Sequence, residues 1–132
     1  MWTSDIETKV FSRVKNEGTS ALKQTFPSIF YTAENESDSE PVFPTVFVQE
    51  LPGSEIGNTL DGTEINAVLS SFQVDISDNK SKARVKQVMN QTVNTMKSMR
   101  FEVTSMPTYR AENGIYIGTA RFRRTIGALD IL

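Results

Sequence analysis

The chain has 132 residues, 38% hydrophobic and 23% charged, with a formal net charge of −2, which describes one globular domain over residues 1–132 with no second core. It contains neither Cys nor His, which excludes disulfide frameworks, thiolate metal sites and imidazole acid–base chemistry. Near-balanced charge argues against a nucleic-acid binder driven by bulk electrostatics.

Met1-Trp2-Thr3-Ser4-Asp5 has no basic segment followed by an apolar one, so no signal peptide is expected. No apolar run approaches the roughly 18 residues that span a membrane. The expected location is a cytoplasm, or something assembled there. Ser4-Asp5-Ile6-Glu7 fits a helix start, with Ser4 as cap and Glu7 closing a capping box. Ile6, Val10, Phe11, Val14, Ala21 and Leu22 recur on one helical face. Gly18 costs that helix roughly 1 kcal/mol against Ala, and one helix to about Lys23 is preferred over a break there. Phe26-Pro27 ends it.

Ile29–Thr32 is a short β-prone run. Glu34, Glu36, Asp38 and Glu40 come next without a basic residue and read as a solvated loop. Phe43–Val48 is the next strand, and Pro41 and Pro44 confine its start to a sheet edge or to the first strand residues. Pro52 to Gly62, rich in Gly, Asn and Asp, reads as a long hairpin loop. Ile65–Ser77 is the longest strand. Val68, Phe72, Val74 and Ile76 share one face, and Ile65, Ala67, Leu69, Gln73 and Asp75 the other. Asp78–Ser81 breaks it and can cap the next helix.

From Ala83 to Arg100 the period changes to 3.6, with Val85, Val88, Met89, Thr92, Val93, Met96 and Met99 in one stripe. Phe101-Glu102-Val103 opens another strand, Met106-Pro107 marks a turn, and Asn113-Gly114 signals a hairpin. The last strand runs from Tyr116 to Ile126. Tyr116, Ala120, Phe122 and Ile126 share one face, while Ile115, Ile117, Arg121 and Arg123 share the other. Arg124 falls on the core-facing row, which suggests a bulge or a strand end. The order of elements predicts an α+β fold: a mostly antiparallel β-sheet with two amphipathic helices packed on one face.

No phosphate loop or dinucleotide fingerprint is present, and no cofactor is expected. Asp75 and Asp78 stand near a strand–helix junction without calcium-loop spacing, so helix capping and solvent contact are preferred over metal. The methionines of the second helix read as core filling, with an adaptable binding surface as the other option. Arg121, Arg123 and Arg124 leave three readings open. They are charges that block strand addition at a sheet edge, phosphate contacts with Phe122 or Tyr109 stacking, or a protein interface paired with a neighbour's carboxylates. Ile65, Ala67, Leu69, Ile115 and Ile117 lie on the faces away from the core rows. A large exposed apolar patch marks an interface, so these residues are expected to pack on another copy or another protein.

The ordered set Phe43-Pro44-Thr45-Val46, Ile65-Asn66-Ala67-Val68, Gln73-Val74-Asp75-Ile76, Met96–Phe101, Met106-Pro107 and Arg121–Gly127 resembles the small tail-completion, or tail-terminator, proteins of long-tailed bacteriophages. The resemblance runs from the first helix to Gly127. It implies a non-enzymatic α+β subunit of the virion, assembled in the host cytoplasm. Such subunits form a ring, usually of six copies, on the head-proximal end of the tail tube. The implied partners are other copies of the chain, the tail tube protein and the head–tail connector protein, with DNA passing through the lumen and no membrane. Arg121, Arg123 and Arg124 match the family's arginine motif, and the family carries no catalytic residues to transfer. The acidic segment Glu34–Glu40 and the tail Ala128–Leu132 fall outside the resemblance. Both are candidates for disorder in the free subunit and contact in the assembly.

A ring needs one patch to meet a different patch on the next copy. The basic strand end could meet Glu34, Glu36, Asp38 and Glu40, or the segment around Glu55 and Asp61. Exposed charge pairs contribute under about 1 kcal/mol each, so the apolar residues would supply most of the association and the charges its register. Another neck component, such as a head-closure or minor capsid protein, is the near alternative. A small DNA-binding protein using the arginine strand is the alternative from another class.

Overall fold

The computed structural model describes residues 2–34, 42–58 and 65–132. A 3-10 turn, Trp2–Asp5, leads into helix α1, Ile6–Leu22. Asp5 holds the cap position without a side-chain bond, so the helix starts later than a Ser4 cap would put it. The indole of Trp2 anchors this turn, its Nε1–H donating to the Ile65 carbonyl at 3.2 Å. Ile6, Val10, Val14, Gly18 and Leu22 are the buried positions of α1, a spacing of four that keeps one face inward. The helix passes unbroken through Gly18, as preferred from the sequence.

Strand β1, Phe30–Thr32, runs parallel to the start of β2, Thr45–Asn58. Pro44 precedes β2, so its missing N–H does not interrupt the ladder. The loop expected over Pro52–Gly62 is overturned as far as Asn58. β2 continues through Pro52 and Gly53, and a register shift between Leu51 and Ser54 takes them up. Residues 59–62 of that expected loop lie outside the described residues. Loops and bulges use the same residue types, so composition alone could not tell them apart. Gly53 is required there: a Cβ would lie 2.7 Å from the Leu69 carbonyl oxygen.

Strand β3, Ile65–Asp78, leads to helix α2, Lys82–Ser98. Ser81 is its cap, and its hydroxyl accepts from the Arg84 N–H at 3.3 Å. α2 ends with Phe101 N–H on the Met96 carbonyl at 3.0 Å and Arg100 N–H on the Lys97 carbonyl at 2.9 Å. Arg100, at φ 65°, occupies the left-handed position that glycine usually fills in this motif. Strand β4, Glu102–Glu112, runs straight through Met106-Pro107, correcting the turn expected there. Register shifts on either side of Ser105 absorb the proline. Asn113 and Gly114, both at positive φ, make the tight turn into β5, Ile115–Gly127.

The sheet order is β1-β2-β3-β5-β4, antiparallel except for β1 against β2. α2 packs on β3, β4 and β5, and α1 packs on α2, giving the expected α+β architecture. The core lies between helices and sheet, where Phe72 meets Phe101 edge to face at 5.6 Å. Met89, Met96 and Met99 are all buried, so the methionine stripe fills this core. Asp78 is fully buried and serves the β3–α2 turn: its Oδ2 accepts from Lys80 N–H at 3.1 Å and Ser81 N–H at 3.2 Å.

Candidate interaction face

Because both helices lie on one side, the alternate residues of each strand form a second face that is bare among the described residues. The register ladders lay it out in rows. Thr45, Ser77, Ile117 and Arg110 cross one end of the sheet. Gln49, Gln73, Arg121 and Ser105 cross the middle. Ser54, Leu69 and Thr125 cross toward the other end, followed by Ile56, Ala67 and Gly127.

The apolar residues singled out from the sequence are therefore on one face but not in one patch. β3 and β5 are antiparallel, so Ile115 and Ile117 lie at one end, in the row that reaches Phe30 across Ser77 and Thr45, while Ile65, Ala67 and Leu69 lie at the other, beside Ile56. Leu69 pairs with Thr125, which puts Leu69 and Ile117 on the order of 25 Å apart at about 3.4 Å per residue.

A polar belt separates the two ends. Thr119 Oγ1 donates to Asp75 Oδ1 at 2.6 Å, and Gln73 Nε2 donates to Asp75 Oδ2 at 3.0 Å. Arg121 Nε donates to Gln73 Oε1 at 3.0 Å. Arg123 pairs with Glu102 at 3.5 Å, both more than half exposed, a contact of little energetic weight. Reading the sequence for motifs passes over this chain of Gln73, Asp75 and Thr119. A signal exists all the same, since Gln73 and Asp75 alternate on the outward row of β3.

Arg124 stands apart from the other two arginines. The β3–β5 ladder is regular through Ser70–Arg124, so neither a bulge nor a strand end explains it. Its side chain turns into the helix side, where Nη1 donates to the Met99 carbonyl at 3.1 Å and Nη2 meets Asp130 Oδ2 at 3.4 Å. Burial, then the neighbouring Arg100, holds its pKa below the usual arginine range, against the pull of Asp130. A guanidinium at a helix C-terminus satisfies a carbonyl that the helix leaves open. Phe122 is fully buried, so it cannot stack on a base.

The tail Ala128–Leu132, expected as a candidate for disorder, is tied down. Asp130 Oδ2 accepts from the Gly127 N–H at 2.8 Å, Arg100 Nη2 donates to the Ile131 carbonyl at 2.6 Å, and Arg13 Nη1 donates to the Leu132 backbone oxygen at 3.1 Å. Leu129 and Ile131 nonetheless leave their side chains in solvent. Glu34 is exposed at the end of β1. Glu36, Asp38, Glu40 and Asp61 lie outside the described residues.

Glu55 lines a groove of about 460 Å³ between the first turn of α1 and the bulge of β2, with Thr3, Ile6, Glu50, Val68 and Ser70. Burial, and then the Glu7 carboxylate, push the Glu50 carboxyl above its ordinary range. A folded-state pKa that is raised gives stability that is full at acid pH and lost as pH rises through the carboxylate range. Glu50→Gln should therefore raise the urea midpoint near neutral pH and leave it unchanged below the carboxylate range. An equal effect at both pH values would show that repulsion and burial are not the cause.

No protein-family model matches the sequence, and no curated protein matches it significantly.

Proposed function

We propose that the chain is a non-enzymatic structural subunit of a bacteriophage tail, a tail-terminator protein that works as a homo-oligomeric ring at the junction of tail tube and head connector. The observation that carries this reading is the bare face of the sheet: apolar at both ends, polar and cationic across the middle, and left uncovered by either helix. A soluble chain rarely leaves apolar surface of this kind unused. Separate apolar ends suit a ring, in which each subunit meets its two neighbours through different patches. The sequence resemblance supplies the choice of ring over other assemblies. A head-closure or minor capsid protein would share the fold class and differ in partner.

Light scattering with negative-stain imaging tests the reading. A ring is expected at a multiple of the 14.8 kDa chain mass, six-fold if the resemblance extends to copy number. Ile117→Asp and Leu69→Asp, one at each end of the bare face, should each shift the wild-type ring to monomer with unchanged circular dichroism. Raised salt alone should leave the ring intact. A monomer at all concentrations that binds DNA with steep salt dependence would turn the reading to a nucleic-acid binder.

A further inference from the structure

Positive charge is gathered on α2 and its flanks. Residues 79–101 hold Lys80, Lys82, Arg84, Lys86, Lys97 and Arg100 and no Asp or Glu, although the whole chain has a net charge of −2. Asp78 occupies Arg84, and Arg100 Nη2 is turned to the Ile131 carbonyl. Lys80, Lys82, Lys86 and Lys97 are exposed and have no ion-pair partner among the described residues. At about 100° per residue, Lys82, Lys86, Asn90 and Lys97 fall within an arc of about 80°. They form one stripe down the outside of the helix, on the order of 22 Å long at about 1.5 Å per residue. Lys86 Nζ lies 5.5 Å from the centre of the Tyr109 ring, which puts the stripe on the β4 side of α2.

The stripe calls for an anion, and its side chains select the kind. The first turn of α2 has no acidic residue and begins with Lys82. A cation there opposes the helix dipole by about 0.3–1 kcal/mol, so the helix gains nothing from it. With Lys80 and the positive end of the dipole, it builds a local potential that attracts negative charge. Asn90 and Asn94 are exposed beside the lysines, and α2 exposes no large apolar side chain. Protein interfaces are depleted in Lys and centre on apolar and aromatic anchors. Lys and Asn side chains are instead among those that contact phosphate along a nucleic-acid backbone. Single strands are held largely by stacking on aromatic rings, and the ring beside the stripe, Tyr109, is half-buried under Lys86.

We propose that the lysine stripe of α2 binds the phosphate backbone of a nucleic-acid duplex. Phosphate contacts carry no sequence information, so the binding is indifferent to sequence. The surface is separate from the arginine strand, where Arg121 is bonded to Gln73 and Arg123 is paired with Glu102 on the far side of the sheet. The inference needs only the single subunit and does not depend on the ring reading.

Fluorescence anisotropy of the full chain with a labelled DNA duplex of mixed sequence tests it. The wild type should bind at low salt, with affinity that falls steeply as salt is raised. Lys82→Gln, Lys86→Gln and Lys97→Gln combined should weaken binding about tenfold or more at low salt. The slope of log affinity against log salt should fall by about three, roughly one for each lost phosphate contact. Circular dichroism should not change, since all three side chains are exposed. Arg121→Gln with Arg123→Gln should leave binding as in the wild type. A wild type that does not bind at low salt overturns the proposal, as does a triple lysine variant that binds like the wild type. Loss of binding in the arginine variant, with the lysine variant unaffected, would move the site to the bare face of the sheet. Poly-L-glutamate that binds more tightly than the duplex would assign the stripe to an acidic protein segment and overturn the nucleic-acid partner.

Discussion

Gly18→Ala is expected to destabilise the protein, although an alanine inside a helix normally stabilises it by about 1 kcal/mol. A Cβ at Gly18 would sit 1.8 Å from the Tyr31 hydroxyl oxygen and 2.6 Å from its Cζ. Tyr31 is itself buried at β1, so it has little room to withdraw. Overpacking of this kind costs about 1–3 kcal/mol, which outweighs the propensity gain. The Tyr31 hydroxyl is buried without a partner among the described residues, and burial pushes its pKa up to about 12. Denaturant midpoints of Gly18→Ala alone and in a Tyr31→Leu background check the cause. In the second background the alanine should be neutral or stabilising, because the ring that blocks it is gone. A higher midpoint for Gly18→Ala in the otherwise native chain would show that β1 yields freely.

Asp78→Ala is expected to lose about 3–5 kcal/mol, the usual result of stranding one partner of a buried ion pair. Asp78 is fully buried, and its Oδ2 lies 3.0 Å from Arg84 Nε. The angle of that approach does not make a hydrogen bond, and Arg84 Nε finds no other acceptor among the described residues. The contact is therefore an ion contact, with the Arg84 guanidinium held 4.9 Å above the Phe26 ring. The same carboxylate oxygen also accepts the two N–H groups that open the β3–α2 turn. Asp78→Asn keeps an acceptor for those groups and removes only the charge, so it should lose less than Asp78→Ala. Adding Arg84→Met to Asp78→Ala should recover part of the loss, since the uncompensated cation is removed. Equal midpoints for Asp78→Ala and wild type would mean that the turn holds without its carboxylate.

These two positions mark how far the chain can be read by itself. Gly18 and Asp78 are both visible in the sequence, one as a weak spot in a helix and one as a cap. The aspartate's role is local, set by residues two and three positions on, but it holds the turn before α2, and Ser81 is the cap. The glycine's role depends on Tyr31, brought to α1 by the path of β1, and no pattern within the helix announces it. The charged residues of the sheet divide in the same way. Arg121 is legible as an outward residue of a strand. Glu50 is not singled out by any motif, although it follows Val46 and Val48 on the inward row of β2.

Periodicity, capping and turn chemistry in the sequence by themselves determined α2, β3, β5, the Asn113-Gly114 hairpin and the α+β class, because each depends on neighbours within a few residues. Tertiary structure decided where β2 and β4 absorb their prolines, since a bulge is defined only against a partner strand. It decided that Arg124 closes the end of α2 while Arg121 and Arg123 stay outside. It also decided that the outward isoleucines form two patches and not one, because antiparallel register, a long-range property, reverses the order of one strand against the other.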